Sequence, residues 1–241
     1  TLIEGYSAMI QDLIRENKGV SLDSLVGGMS TGILRLRGIV DDMIDVSMID
    51  NDLLNLNLLP MQISTMMDAL SYEYEKAFQE RKLTLERRDF EGNRQWIYAD
   101  SVRLAQAFRN LINNAIKYTP DGGTITIDGR TLPGFIEVTV TDTGIGISIE
   151  NQAVIFEKFS QLGRVELHSS GKTKFKGGGP GLGLPISRGI LEAHGGSLWV
   201  DSPGHDEKTC PGSTFHVLIP VRTESPDPNI TKIFDNRGKK K

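Results

Sequence analysis

Between Leu22 and Met43 the apolar residues Leu22, Val26, Met29, Ile33, Leu36, Val40 and Met43 recur in alternating steps of four and three. A stripe with that period runs along one side of an α-helix and forms a coiled-coil-like seam. Upstream, Leu2, Tyr6, Met9 and Leu13 keep helical spacing until Gly19 interrupts them, so residues 1–58 read as a helical hairpin. Two helices cannot shield such a seam from water by themselves. The hairpin is therefore expected to pair with a second copy of the chain, giving a dimeric four-helix bundle. Pro60 ends the pattern, because proline closes a helix or opens a new segment.

Beyond Pro60 the period changes to a mixture of α and β. Helix is predicted near Ile63 to Glu80, strand near Leu83 to Arg87, and a further helix with Asp100 as its N-cap. Thr124 to Asp128 and Phe135 to Thr141 alternate as strands on either side of the Pro133-Gly134 turn. A glycine-rich stretch then leads into a helix ending near His194, followed by strands Ser197 to Asp201 and Thr214 to Ile219. The chain is thus expected to be α+β, with a hairpin over 1–58, an α/β sandwich over 59–222 and a linker or tail over 223–241.

Composition narrows the class. An apolar share of 38% with 24% charged residues, over 241 positions, suits a globular protein. No apolar run approaches the roughly 20 residues needed to cross a bilayer. A net charge of -4, spread along the chain, argues against nucleic-acid binding, whose footprint would be basic. Cys210 is the only cysteine, which excludes an internal disulfide and a cysteine zinc cluster and suits a reducing compartment. The sequence opens at Thr1 without methionine or signal peptide, as expected of a segment cut from a longer protein.

Three segments carry chemistry. In Asn110-Leu-Ile-Asn-Asn114-Ala-Ile-Lys117-Tyr118, helical spacing puts Asn110, Asn114, Lys117 and Tyr118 on one face, beside an apolar face of Leu104, Phe108, Leu111 and Ala115. Amide oxygens and a lysine suit Mg²⁺ with a triphosphate, since magnesium prefers hard oxygen ligands and shares them with phosphates. Taken alone, this face would be a solvated polar surface; its neighbours overturn that. Asp142-Thr-Gly144-Ile-Gly146 places a carboxylate at the end of an apolar strand, where sharp turning lets a ligand approach the backbone. That carboxylate can accept the exocyclic amino hydrogens of adenine. Gly179-Pro-Gly181-Leu-Gly183-Leu184 lies where a helix begins, so its free N–H groups can face phosphates. Other nucleotide motifs are excluded: Glu166 stands where a P-loop ending in Gly171-Lys172-Thr173 needs its first glycine, and no G-x-G-x-x-G occurs. His168, His194, His205 and His216 lack ligand-like spacing and read as surface or packing residues.

In this order, the three segments resemble the N, G1 and G2 boxes of the sensor histidine kinases of two-component systems, and Ile155-Phe156-Glu157-Lys158-Phe159 matches the family's F box, the hinge before a lid. Ile39-Val40-Asp41-Asp42-Met43 to Ser47 is similar to the second helix of its dimerisation and phosphotransfer hairpin. Thr1 to Tyr6 looks like the stretch just after the phospho-acceptor motif, which puts the acceptor histidine roughly two helical turns upstream of Thr1. The resemblance implies a catalytic domain of the GHKL type using ATP and Mg²⁺. Asn114 would bind Mg²⁺ assisted by Asn110, Lys117 would contact phosphate and Tyr118 would border the nucleotide. Asp142 would hold adenine, while Gly144, Gly146, Phe159, Gly179, Gly181, Leu182, Gly183 and Leu184 would shape pocket and lid. Lys117 and Asn110 would serve the chemistry.

The implied reaction moves the ATP γ-phosphoryl group to a histidine and then to an aspartate in a response regulator receiver domain. The implied setting is cytoplasmic, with any membrane anchor outside this chain. The sequence departs from the family at Pro180, where Ser or Thr is common; proline removes a hydroxyl and an N–H from the phosphate loop. Lys172, Lys174 and Lys176 could supply charge there instead. Two competing readings are a gyrase- or chaperone-like ATPase and a nucleotide-binding scaffold without kinase activity. The first needs a glutamate as general base where this chain has Asn110.

Overall fold

A computed structural model describes Ser7 and residues 22–160 and 180–224. The first helix of the expected hairpin, Gly179, His168, the three lid lysines and the tail from Ser225 lie outside the described residues. The chain divides into two compact units, Thr1–Ser47 and Met48–Lys241.

The described part of the first unit is helical, in α1 (Leu22–Asp50), whose last residues belong to the second unit. Within it the predicted seam is open: Ile33 is 53% exposed and Val40 48%, with Leu36 and Met43 similar. Gly27, Gly28, Gly32 and Gly38 lie within this continuous helix, each costing about 1 kcal/mol of helix propensity relative to alanine. Such a helix depends on what covers its apolar side, since propensity alone does not sustain it.

In the second unit, β1 (Leu59–Met61) pairs antiparallel with β3 (Ile97–Ala99). Pro60 therefore lies inside a strand, and helix α1 ends at Asp50 instead of running on toward Leu58. The main sheet has the order β2 (Thr84–Arg87), β4 (Thr124–Leu132), β5 (Phe135–Asp142), β7 (Ser213–Pro220), β6 (Ser197–Asp201). Its β2–β4 pair is parallel and the others antiparallel. Helices α2 (Ile63–Glu80), α3 (Ser101–Tyr118) and α5 (Gly183–Ala193) accompany it, with the short α4 (Asn151–Val154) between β5 and α5.

Alternation in the strands decides which face is covered. Ile125, Ile127, Ile136, Val138, Val140, Phe215 and Val217 are buried and join Leu104, Phe108, Leu111, Ala115 and Ile116 of α3 in one core. At a typical yield of about 25 cal/mol per Å² of apolar surface buried, this helix-on-sheet contact stabilises the domain, and Ile63, Met67, Leu70 and Phe78 of α2 extend the same core. The opposite face carries Thr139, Thr141, Thr214 and His216. There the buried Glu137 carboxylate accepts hydrogen bonds from Arg130 and from His216 Nδ1, the latter at 2.8 Å. His216 Nε2 lies 3.1 Å from Asp201, and its ring stacks on Trp199. Among the described residues, no helix is long and apolar enough to cross a membrane.

Helix α3 is secured at both ends. Asp100 is its N-cap, accepting from the N–H groups of Val102 at 3.1 Å and Arg103 at 3.0 Å, and it also takes the Asn57 N–H at 2.9 Å. At the other end the Arg81 guanidinium donates to the carbonyls of Ile116 at 3.0 Å and Thr119 at 2.8 Å, and pairs with Asp121. A cation there satisfies helix carbonyls that lack partners within the helix and complements its dipole.

Candidate nucleotide site

Asp142 is the last residue of β5 and pairs in register with Ile125 on β4 and Ser213 on β7. It is 4% exposed. Its Oδ1 accepts the Gly144 N–H at 2.8 Å, and its Oδ2 accepts the Ser213 hydroxyl at 2.5 Å. Burial pushes its carboxyl above the ordinary carboxylate range, against the pull of the bonds from Ser213 and Gly144. A buried carboxylate whose partners are neutral donors, with no cation paired to it among the described residues, is costly and suits a site that receives donors from a ligand.

The turn after Asp142 explains its glycines. A Cβ on Gly144 would come within 2.5 Å of Asp142 Oδ1 and of the Tyr118 carbonyl oxygen, while Gly146 has φ +70°. Ile145 donates its N–H to the Tyr118 carbonyl at 3.1 Å. That bond fastens the C-terminal end of α3 to the turn, bringing Asp142 together with the helix that bears the asparagines. On α3, Asn114, Lys117 and Tyr118 are half-buried. Lys117 Nζ lies 4.7 Å from the centre of the Tyr118 ring.

Asn110 also serves as a brace. Its Nδ2 donates to the Gly183 carbonyl at 2.9 Å and to Ser187 Oγ at 3.2 Å, which ties α3 to the first turn of α5. Among the described residues its Oδ1 has no hydrogen-bond donor and is the atom that can meet a ligand. At the start of α5, the N–H groups of Gly183 and Leu184 have no acceptor within the helix, and Pro185 has none to offer. They can meet an anion. Leu182 is fully buried, so its side chain serves packing, and Leu184 packs against the core.

Gly181 has φ +74°, and a Cβ there would lie 2.7 Å from the Ser160 carbonyl oxygen and about 3 Å from the Phe159 backbone. The chain thus leaves at Ser160 and returns at Gly181 in direct contact. Phe159 itself has φ 59° and a side chain 61% exposed. The donor set can be tested against magnesium. Among the described residues no group of three or more His, Cys, Asp or Glu could hold a metal. Two amide oxygens, from Asn110 and Asn114, are too few to retain a bare cation but suit Mg²⁺ that brings phosphate oxygens and water with it.

Sequence reasoning missed Ser213, whose signal was a hydroxyl opening the strand beside Asp142. It also missed the connection between β6 and β7, whose residues hydrogen-bond to the Asp142 turn.

The family model described as histidine kinase-, DNA gyrase B- and HSP90-like ATPase matches residues 99–223, the segment that holds all of these groups. Adaptive-response sensory kinase SasA of Trichormus variabilis is 41% identical over 127 residues, covering 52% of this chain and 28% of that protein. The chain spans about a third of the length of the curated relatives it matches. Among solved structures, the histidine kinase AdeS of Acinetobacter baumannii superposes with a TM-score of 0.70 at 22% identity, over 92% of this chain and 95% of that one. Histidine kinase ThkA in complex with response regulator protein TrrA gives a TM-score of 0.62 at 21% identity, over 91% of this chain and 58% of that one. With the Asp142 turn, the asparagine helix and the glycine-led α5 all inside the matched segment, the chain belongs to the histidine kinase-, DNA gyrase B- and HSP90-like ATPase family, on its sensor histidine kinase branch.

Proposed function

We propose that this chain is the ATP-binding part of a two-component histidine kinase, which moves the γ-phosphoryl group of ATP to a histidine and then to an aspartate of a response regulator. The observation that carries the reading is the buried Asp142 carboxylate, held by Ser213 and Gly144 beside the end of the asparagine helix. Its charged oxygens accept the amino group of adenine, an interaction the carbonyl of guanine would not make. Asn114 and the free oxygen of Asn110 hold Mg²⁺ together with the phosphates. Magnesium, when bound, neutralises charge on the transferring phosphoryl group.

Lys117 adds a second cation near the phosphates, Tyr118 borders the nucleotide, and the N–H groups of Gly183 and Leu184 offer fixed donors. Gly144, Gly146 and Gly181 keep the backbone close to the ligand, and Gly179 belongs to the same loop by sequence. Most of the barrier reduction then comes from positioning and charge compensation. The acceptor is a histidine of the dimerisation hairpin. None of this chain's four histidines falls within residues 1–58. The family, the seam on α1 and the solved kinase with its response regulator support a homodimer and a receiver-domain partner, hence a cytoplasmic setting. Hydrolysis of the gyrase type is disfavoured, because Asn110 has no basicity and its Nδ2 is committed to α5.

Calorimetry with ADP and Mg²⁺ tests the reading. Wild-type chain should bind one nucleotide, Asp142→Asn should weaken binding about a hundredfold through loss of a charged hydrogen-bond acceptor, and Asn114→Ala should abolish the gain from Mg²⁺. Equal affinity in all three proteins would defeat it. With a hairpin that contains its histidine, transfer from γ-labelled ATP should yield an acid-labile, base-stable adduct.

A further inference from the structure

The connection between β6 and β7, residues 202–212, bonds to the Asp142 turn through Ser202, His205, Asp206 and Gly212. The Gly212 N–H donates to the Gly144 carbonyl at 2.9 Å, and the Asp206 N–H donates to the Ile145 carbonyl at 2.9 Å. Gly146 forms an isolated antiparallel bridge with His205, whose Nδ1 also lies 3.1 Å from the Gly146 carbonyl oxygen. The Ile147 N–H donates to Ser202 Oγ at 2.9 Å. From Gly144 to Ile147, each residue therefore has a polar partner in this one connection.

The steric fit is mutual. A Cβ on Gly146 would collide with the Gly204 carbonyl oxygen and Pro211 Cγ and crowd Ser202 Oγ, and a Cβ on Gly212 would collide with the Asp142 carbonyl oxygen. The second glycine of the turn is thus required by the connection pressed against it. The connection also has its own internal frame. Asp206 Oδ1 accepts from the N–H groups of Lys208 at 2.7 Å and Thr209 at 3.2 Å, and Cys210 and Gly212 turn with φ of 47° and 76°.

Ser202 is the node where these bonds meet. Its hydroxyl accepts from Ile147, and its single hydrogen faces the Gly212 carbonyl at 2.7 Å, with the Gly204 carbonyl at 3.1 Å as the alternative acceptor. Gln152 Nε2 binds the Ser202 carbonyl at 2.7 Å and the Ile147 carbonyl at 3.2 Å, so both backbone groups of Ile147 are fixed. We propose that the β6–β7 connection is a clamp that sets the conformation of the base-binding turn, and that Ser202 is the positioning residue through which it controls affinity for the adenine end of the nucleotide. The proposal rests on the nucleotide reading above. Ser202 acts through Gly146 and Ile147, and Asp142 is the group that meets the base.

The test is calorimetry of the chain with ADP, with and without Mg²⁺. Ser202→Ala should raise Kd about tenfold, as expected for loss of one positioning hydrogen bond. The stoichiometry should stay at one per chain, and the gain in affinity on adding Mg²⁺ should match wild type. Ser202→Thr should restore affinity. A merely structural role would instead lower the bound fraction at unchanged Kd, and that result overturns the proposal. Should Ser202→Ala fail to fold, Gln152→Ala decides: Kd must rise in the same direction, and an unchanged Kd overturns it. If wild type binds ADP, Asp142→Asn binds it about a hundredfold more weakly, and Ser202→Ala behaves as wild type, the pocket stands and the clamp falls. If wild type binds no nucleotide, the clamp falls together with the reading beneath it.

Discussion

Two buried side chains have pKa values shifted in opposite directions. Burial raises the Asp142 carboxyl, so it takes up a proton at a pH where exposed aspartates are still charged. The acid form cannot serve as a charged acceptor for adenine. Affinity for ADP should therefore fall on mild acidification, earlier than exposed carboxylates would cause, in calorimetry at stepped pH; a flat profile down to the ordinary aspartate range would contradict this. The pKa of His194 is shifted the other way, downward. Its Nδ1 contacts the Ile190 carbonyl at 2.8 Å, which can only accept, so Nδ1 bears the hydrogen and Nε2 accepts the Asp100 N–H at 3.1 Å. The ring is thus neutral, and burial lowers its pKa below the ordinary 6.5. The unfolded state then binds more protons than the folded state, so this contribution to stability is present above 6.5 and declines as pH falls through the folded value. Urea unfolding at a series of pH values should show the decline, and His194→Asn should flatten it. Neither behaviour was legible in the sequence: that His194 reads as a packing residue follows from its isolation, but its partner lies ninety-four positions away.

At the scale of elements, α3 carries the asparagines, and its two caps differ in how they could be read. Asp100 stands immediately before an apolar-periodic run, so its role is local and the sequence predicts it. Arg81 reaches α3 from beyond the end of α2, a long-range contact with no local signature. Arg81→Ala removes both carbonyl partners and the pair with Asp121, and should cost about 2 kcal/mol by urea unfolding, in line with hydrogen bonds to a charged group. A loss near zero would mean that water replaces the guanidinium fully. Strands β5 and β7 were readable because they alternate; β1 and β3, three residues each, were not, since short strands carry almost no period. Glu137 breaks the alternation of β5 because Arg130 and His216 compensate its charge from neighbouring strands.

For the whole molecule, the open seam on α1 is the feature that asks for a second chain. Val26, Ile33, Leu36, Val40 and Met43 remain exposed along it, an arrangement water disfavours. Sedimentation should give a dimer, and Ile33→Glu or Val40→Glu should shift it toward monomer while leaving ADP affinity unchanged; a monomer at all working concentrations would refute the pairing. The meeting of Gly181 with Phe159 and Ser160 has a consequence of another kind. Because the two points touch, residues 161–179 join positions that the surrounding frame already holds together. Lengthening such a segment adds only a slowly growing closure cost, about 0.6 kcal/mol for each doubling. A reporter domain spliced between Ser160 and Gly179 would therefore not require the described strands and helices to move.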